Sequence, residues 1–297
     1  MKKEKGRWLV LLAAILAIGI LTMFLYQRFS RDLGQVTNAD EVSEAIRGAM
    51  IRRSWRVRVR FKTGSGDRDK ARSLLEDIIE GAFYESNDPR GGDYLRFQYG
   101  GYEMTQTMKK GLFRYSYQAG IVPSYYTTAD QEAAVDQEVE RIIRDLSPGR
   151  DASDYDKIRW VHDYICKTAS YDDVHKHRAG SGHIQSTAYG TLIYHTALCQ
   201  GYAVSCYRLL KELGADVRIV TGKALTGDKM EKHAWNIVRI GEAYYNLDIT
   251  MDDVSGSEDG FLKSDRTLAG RYVKDAQYRT PAFRKACPMS EEDYSYE

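Results

Sequence analysis

Cysteine is scarce in this 297-residue chain, which holds Cys166, Cys199, Cys206 and Cys287 and no close CxxC spacing. That scarcity excludes a disulfide framework and a zinc site of the usual spacing. Cys199 and Cys206 would stand about 10 Å apart along one helix, beyond the reach of a disulfide. One distant pair, such as Cys166 with Cys287, stays open. A charge excess is equally lacking, with 43 Lys and Arg against 42 Asp and Glu, so composition gives no case for nucleic acid as a partner. Internal repeats, low-complexity tracts and a Pro- or Ser-rich stalk are also missing, which excludes a long flexible spacer.

Long hydrophobic runs are confined to one place. "MKKEKGR" precedes an uncharged stretch from Trp8 to Tyr26, followed by "QRFSR". The stretch has roughly the length needed to cross a ~30 Å hydrocarbon core as a helix, and no small-x-small cleavage site follows it. It is therefore expected to be an uncleaved, single-pass anchor over residues 1–30. Lys2, Lys3, Lys5 and Arg7 outweigh Arg28 and Arg31, so the N-terminus is expected in the cytoplasm and the rest outside the membrane.

The remainder divides by pattern into an α+β unit at 31–150, a second domain at 151–285 and a tail at 286–297. "DEVSEAIRGAMIRR" has helical spacing. "SWRVRVRFKT" alternates, with Trp55, Val57, Val59 and Phe61 facing one way and Arg56, Arg58, Arg60 and Lys62 the other. That basic face is expected to be a solvated sheet surface, with an anionic envelope polymer at Arg56, Arg58 and Arg60 as the sharper alternative. Leu74, Leu75, Ile78, Ile79, Ala82 and Phe83 mark a helix, and "DYLRFQY", "YEMTQTM" and "LFRYSYQ" read as strands. Thr128 and Gln131 form a capping box before Val135, Val139 and Ile142, and Ser153 caps a helix carrying Ile158, Val161 and Ile165. Helices then precede alternating runs at 218–221, 233–240 and 243–250, an order that predicts α+β and not a doubly wound sheet.

Chemistry concentrates in "ALCQGYAVSCYRLLKELG". Tyr202, Ala203, Cys206, Leu209, Leu210 and Leu213 follow Cys199 at near-helical spacing, and Gly214 can end the helix. Cys199 thus sits at a helix start, where free N–H groups and the macrodipole favour a thiolate. Gly201 would let the first turn approach another backbone closely. Cys206 suits core packing. In "HAWNIVRIGEAYYNLDIT", alternation on both sides of Gly241-Glu242 predicts a hairpin. If Ile240 pairs with Ala243, Trp235 lies opposite Asp248 and His233 is its diagonal neighbour on the same face. A three-residue loop would separate them. Thiol, imidazole and carboxylate in this arrangement constitute an activated nucleophile, with the Cys199 N–H as an oxyanion donor.

These segments, with "VRIVTG" and "MDD", resemble the transglutaminase-like superfamily, specifically its bacterial, membrane-anchored extracytoplasmic members, over roughly 153–253. The resemblance implies a papain-like cysteine-protease α+β core and a triad of Cys199, His233 and Asp248. Tyr171-Asp172 and Ala188-Tyr189-Gly190 match motifs common upstream in that family, whereas Met251 stands where an aromatic residue is common, a departure bearing on cleft shape. The expected activity is thiol-dependent acyl transfer on an amide or peptide bond of a protein or peptide substrate at the cell envelope, with no cofactor and no metal. Whether water or an amine resolves the acyl-thioester stays open, with water favoured because an amine needs its own site. The alternative is a non-catalytic envelope binding or scaffolding module that keeps the fold.

Around this triad, Trp235, Asn236 and Gln200 are the candidate substrate-binding residues, Trp235 being at least as well suited to the core. Asp252 and Asp253 are expected to cap a turn. "YDDVHKHRAGSGH" gathers Asp172, Asp173, His175, His177 and His183 without compact ligand spacing, and is expected to be a solvated or cleft-rim loop. His162 and His195 are expected to be structural.

Overall fold

A computed structural model describes residues 30–35, 38–146, 148–174 and 184–296. The predicted anchor lies outside the described residues; among the described residues no helix is long and apolar enough to cross a membrane. The chain forms two compact units, one drawn from residues up to 82 together with 100–124, the other from 83–99 and 125–297.

In the first unit, β1 (Ser30–Gln35), α1 (Ala39–Ile51), β2 (Arg56–Thr63) and α2 (Arg68–Gly81) are followed by the hairpin of β3 (Tyr99–Lys110) and β4 (Tyr115–Tyr125). The sheet order is β1-β2-β4-β3, with β1 parallel and β4 antiparallel to β2. Alternation in β2 buries Val57, Val59 and Phe61, and Phe61 stacks on Tyr117 with ring centroids 5.2 Å apart. Trp55, expected on that inward face, is exposed because the strand begins only at Arg56. The two helices are tied by Ser43 Oγ, which donates to the Ile78 carbonyl at 2.7 Å.

The second unit adds α3 (Gly92–Phe97), α4 (Ala129–Leu146), α5 (Asp154–Thr168), β5 (Ser170–Tyr171), α6 (Ala188–Leu192), β6 (Thr196–Ala197) and α7 (Cys199–Glu212). The strands β7 (Val217–Thr226), β8 (Lys229–Ile240) and β9 (Ala243–Leu247) then precede α8 (Ile249–Ser255), β10 (Tyr272–Lys274) and α9 (Pro281–Ala286). The reciprocal bonds between Thr128 and Gln131 start α4, and Ser153 Oγ accepts the Asp156 N–H to start α5. Helix α7 is central, buried from Gly201 to Leu210, and it contacts α3, α4, α5, α6, β7 and β8. The sheet order is β10-β7-β8-β9 throughout antiparallel. Its period-2 alternation gives two faces. Val217, Ile219, Ala234, Val238 and Leu247 join the α7 core, whereas Val220, Trp235, Ile237 and Tyr244 pack with Tyr278 and Cys287 from the C-terminal segment.

Other sequence expectations change as well. The division at 150 moves, because Tyr94, Val135, Val139 and Ile142 belong to the α7 core, so residues 83–99 and 125–150 build the second unit. "DYLRFQY" is largely helix α3, whose Asp93 is held by Arg218 and the Ile219 N–H of β7. The run at 243–250 stops being strand at Leu247, because the Asp248 carboxylate caps α8. The 286–297 segment is packed and not a free tail: Tyr244 donates to the Pro288 carbonyl, Ser290 to that of Tyr244, and Tyr294 to that of Leu262. All four cysteines are free thiols, so the Cys166–Cys287 alternative falls away.

Candidate active site

Cys199 is the first residue of α7, with Leu198 as the capping residue, so its N–H has no acceptor within the helix. The helix start is pinned to a neighbouring turn, where Leu198 N–H donates to the Gln185 carbonyl at 2.9 Å. Gly201 makes that approach possible: a Cβ there would lie 2.3 Å from the Gln185 carbonyl oxygen and 2.9 Å from Thr191 Oγ1. Backbone cannot swing aside as a side chain can. Gly201→Ala is therefore expected to cost about 1–3 kcal/mol in urea-unfolding free energy and to alter Cys199 alkylation. Wild-type values for both would remove the packing argument.

The histidine and the carboxylate are brought together by hairpin register. Ile240 pairs with Ala243 around Gly241, whose φ of 61° is left-handed backbone that glycine adopts because it lacks a Cβ, and the ladder runs to Asn236↔Leu247. Asp248 follows at once. Its N–H donates to the Gly260 carbonyl, its Oδ1 accepts the Met251 N–H at 3.1 Å, and its Oδ2 lies 2.6 Å from His233 Nε2. Tyr272 Oη donates to the same Oδ2 at 2.5 Å. With Nε2 turned to Asp248, Nδ1 is the ring atom left for a second partner. Cys199 and His233 line one cleft, where the imidazole and the Ala234 N–H both act to lower the thiol pKa.

Electrostatics at the three groups point one way. Burial pushes the Cys199 thiol up, but its hydrogen bond to His233 and the positive imidazolium more than offset this, so the pKa is lowered. Burial would lower His233, yet the Asp248 charge, its hydrogen bond and the bond to Cys199 push it up to about 10. Asp248 is disfavoured as an anion by complete burial, but His233, Tyr272 and the Met251 N–H hold it below the usual carboxylate range. The three shifts together favour a thiolate beside an imidazolium. Such a pair can attack a carbonyl carbon and protonate a leaving amine.

The sulfur opens onto a cleft of about 400 Å³ whose walls include Tyr171, Leu225, Glu231, Met251 and Val254. Tyr171 arrives there through the parallel pairing of β5 with β6 immediately before Cys199. The candidate substrate-binding residues stand elsewhere. Trp235 is 1% exposed, stacks on His233 with centroids 5.9 Å apart and donates Nε1–H to Asn246 Oδ1 at 3.0 Å. Asn236, equally buried, donates to the Ala203 carbonyl at 3.0 Å, joining β8 to α7. Gln200 spends its amide on the carbonyls of Phe97 and Ser186, at 2.6 and 3.2 Å. All three support the site and none lines the cleft.

Tyr272 was not foreseen. It lies far along the chain from Asp248 and is one of 22 tyrosines, so no local signal distinguishes it. Antiparallel pairing of Tyr272 with Ala224 delivers it, and Gly222 permits the close approach, since a Cβ there would stand 2.1 Å from the Val273 carbonyl oxygen. His175, His177 and His183 lie outside the described residues; among the described residues no cluster of three or more His, Cys, Asp or Glu is set to hold a metal. His195 is exposed, in a left-handed turn with φ of 57°.

His162, by contrast, is buried between two acids. Its Nδ1 lies 2.8 Å from Asp163 and its Nε2 3.2 Å from Asp252, whose other oxygen accepts the Gly260 N–H. Asp253 accepts the Tyr202 hydroxyl at 2.5 Å, so both acids brace α8 and do not merely cap a turn. Burial works against the imidazolium of His162, but bonds to Asp252, Cys166 and Asp163 push its pKa up to about 10. A raised folded-state pKa contributes stability that is complete below the unfolded value of about 6.5 and is lost as pH rises towards 10. The unfolding free energy of the wild type is therefore expected to fall more steeply between pH 6.5 and 10 than that of His162→Gln. Parallel curves would refute the charged state of His162.

Residues 144–249 match the family described as the transglutaminase-like superfamily, a span containing Cys199, His233 and Asp248. A solved structure described as a TGase is 17% identical with a TM-score of 0.37, covering 75% of this chain and 55% of its own. A structure described as a candidate cysteine protease from Cytophaga hutchinsonii is 13% identical with a TM-score of 0.31, covering 51% of this chain and 65% of its own. The chain thus spans less than two thirds of either. No curated protein sequence matches it. The family match carries the class: the region around the site is a mixed α/β, transglutaminase-like fold.

Proposed function

We propose that this protein catalyses thiol-dependent acyl transfer on an amide or peptide bond, with Cys199 as nucleophile, His233 as acid and base, and Asp248 as the carboxylate that orients the ring. The observation that carries the reading is the His233 imidazole, bonded through Nε2 to Asp248 at 2.6 Å and lining the same cleft as Cys199, whose pKa it lowers. The thiolate adds to the carbonyl carbon while the freed Cys199 N–H stabilises the oxyanion. The imidazolium gives its proton to the departing amine as the C–N bond breaks, leaving an acyl-thioester and neutral imidazole. The imidazole then takes a proton from the incoming water or amine, and the thiolate leaves as the acyl product forms. Hydrolysis is favoured over crosslinking because water is always available whereas an amine requires its own binding site.

The cellular setting is part of the proposal: a bacterial, single-pass protein anchored by residues 1–30, with the catalytic unit outside the membrane. Arg56, Arg58 and Arg60 on β2 would face anionic envelope polymer. Salt-sensitive binding of such a polymer, lost when the three arginines become glutamine, tests that contact.

The central test is acylation. A 4-nitrophenyl ester is expected to give a stoichiometric burst of nitrophenol and an acyl adduct on Cys199, both lost in Cys199→Ala. A folded wild-type protein with no adduct at Cys199 would favour the binding-module alternative.

A further inference from the structure

On the side of Tyr272 away from the cleft lies a second cavity, of about 320 Å³, between β8, β9 and the C-terminal segment. Small-molecule sites occupy about 300–1,000 Å³, so this one suits a small ligand. Its walls are aromatic and apolar, with Trp235, Tyr272, Phe283 and Leu268 among them. Its charge is unbalanced. Lys274, Arg279 and Arg284 line it against a single carboxylate, Asp265, which is already committed to Lys274 Nζ at 2.6 Å and to Asn246 Nδ2 at 2.9 Å. Arg279 and Arg284 are exposed and have no ion pair among the described residues. Burial and the nearby Arg284 both work against the Lys274 cation, so an added anion would relieve repulsion that the protein leaves in place.

The same walls hold the catalytic imidazole. Trp235 stacks on His233, Tyr272 meets it edge-on with centroids 6.0 Å apart, and the Tyr272 hydroxyl bonds Asp248. Whatever fills the cavity therefore rests against the two rings that set the position of His233.

We propose that this cavity binds a small aromatic carboxylate, its ring against Trp235 and Tyr272 and its carboxylate on Arg279 and Arg284, and that occupancy alters the reactivity of Cys199 through Tyr272. Binding is independent of the acyl-transfer reading and would survive its failure; the effect on Cys199 rests on that reading.

The test uses 2-naphthoate on the full-length protein, followed by calorimetry and by the rate of iodoacetamide alkylation mapped to Cys199. Saturable binding is expected, weaker by about tenfold in Arg279→Gln/Arg284→Gln and for the neutral 2-naphthamide, as loss of a charge-assisted contact implies. Ala269→Trp, at the exposed lining of the cavity, is expected to abolish binding without disturbing the core. Naphthoate is expected to change the alkylation rate in the wild type, and in the double arginine variant to do so only at about tenfold higher concentration. Absence of saturable binding, or equal affinity for the acid and the amide, would overturn the site. Binding with an unchanged alkylation rate would overturn its connection to Cys199.

Discussion

Replacing His233 with alanine is expected to move the rise of Cys199 alkylation to higher pH, so that the rate climbs about tenfold per pH unit between pH 6 and 8, more steeply than in the wild type. In the wild type the lowered pKa of Cys199 and the raised pKa of His233 favour the charged form of each group. Removing the imidazolium leaves burial and the Asp248 charge, which favour the protonated thiol, opposed only by the Ala234 N–H. At pH 6 the expected loss of rate is about tenfold and not larger, because a low-pKa thiolate is intrinsically a weaker nucleophile.

Asp248→Asn refines the test. Asparagine still caps α8, so the helix should persist, but the charge that sustains the imidazolium is gone. Turnover is expected to drop by about 10²–10⁴ and the alkylation profile to move towards that of His233→Ala. The pH profile of the wild type should be bell-shaped: activity appears as Cys199 ionises below its ordinary range and fades as His233 loses its proton near 10. If both variants titrate like the wild type, the three groups do not act as a unit.

Asp93→Ala is expected to be the most damaging single change to stability outside the site, by about 3 kcal/mol in urea-unfolding free energy. Asp93 is 3% exposed and accepts from Arg218 Nε at 2.7 Å, Arg218 Nη2 at 3.1 Å and the Ile219 N–H at 2.9 Å. Truncation would strand the guanidinium, which would retain only Glu85 at 3.5 Å. The figure lies at the lower end for broken buried pairs because the Arg218 side chain is 24% exposed. Substituting both partners, as Asp93→Leu with Arg218→Met, should recover much of the loss, since no charge is then left unpaired. A double variant as unstable as Asp93→Ala would show that the carboxylate matters through its backbone bond alone.

Much of this architecture was legible because its signals are local. The capping box at Thr128, the cap at Ser153 and the helix opening at Cys199 each involve residues within one turn, so neighbouring chemistry decides them. The pairing of His233 with Asp248 was legible for a related reason: a two-residue loop sets the register of the whole hairpin. Helix α3 was misread because "DYLRFQY" has aromatic and apolar residues suited to a strand, and its helical form depends on the distant Arg218 anchoring Asp93. Trp235, Asn236 and Gln200 are chemically suited to grip a substrate, yet their polar atoms find partners inside the protein.

By itself the amino-acid sequence determined where the capped helices begin, which face of the alternating strands is apolar, and which thiol, imidazole and carboxylate can meet. Only the tertiary structure decided that Tyr272 supports Asp248, that His162 braces α8 through Asp252, and that a cationic cavity lies against the rings flanking His233. The physical reason is range. Caps, turns and hairpin registers are governed by bonds between near neighbours, whereas β10 reaches β7, and α5 reaches α8, only after the core has closed and burial has made each polar partner worth its ordering entropy.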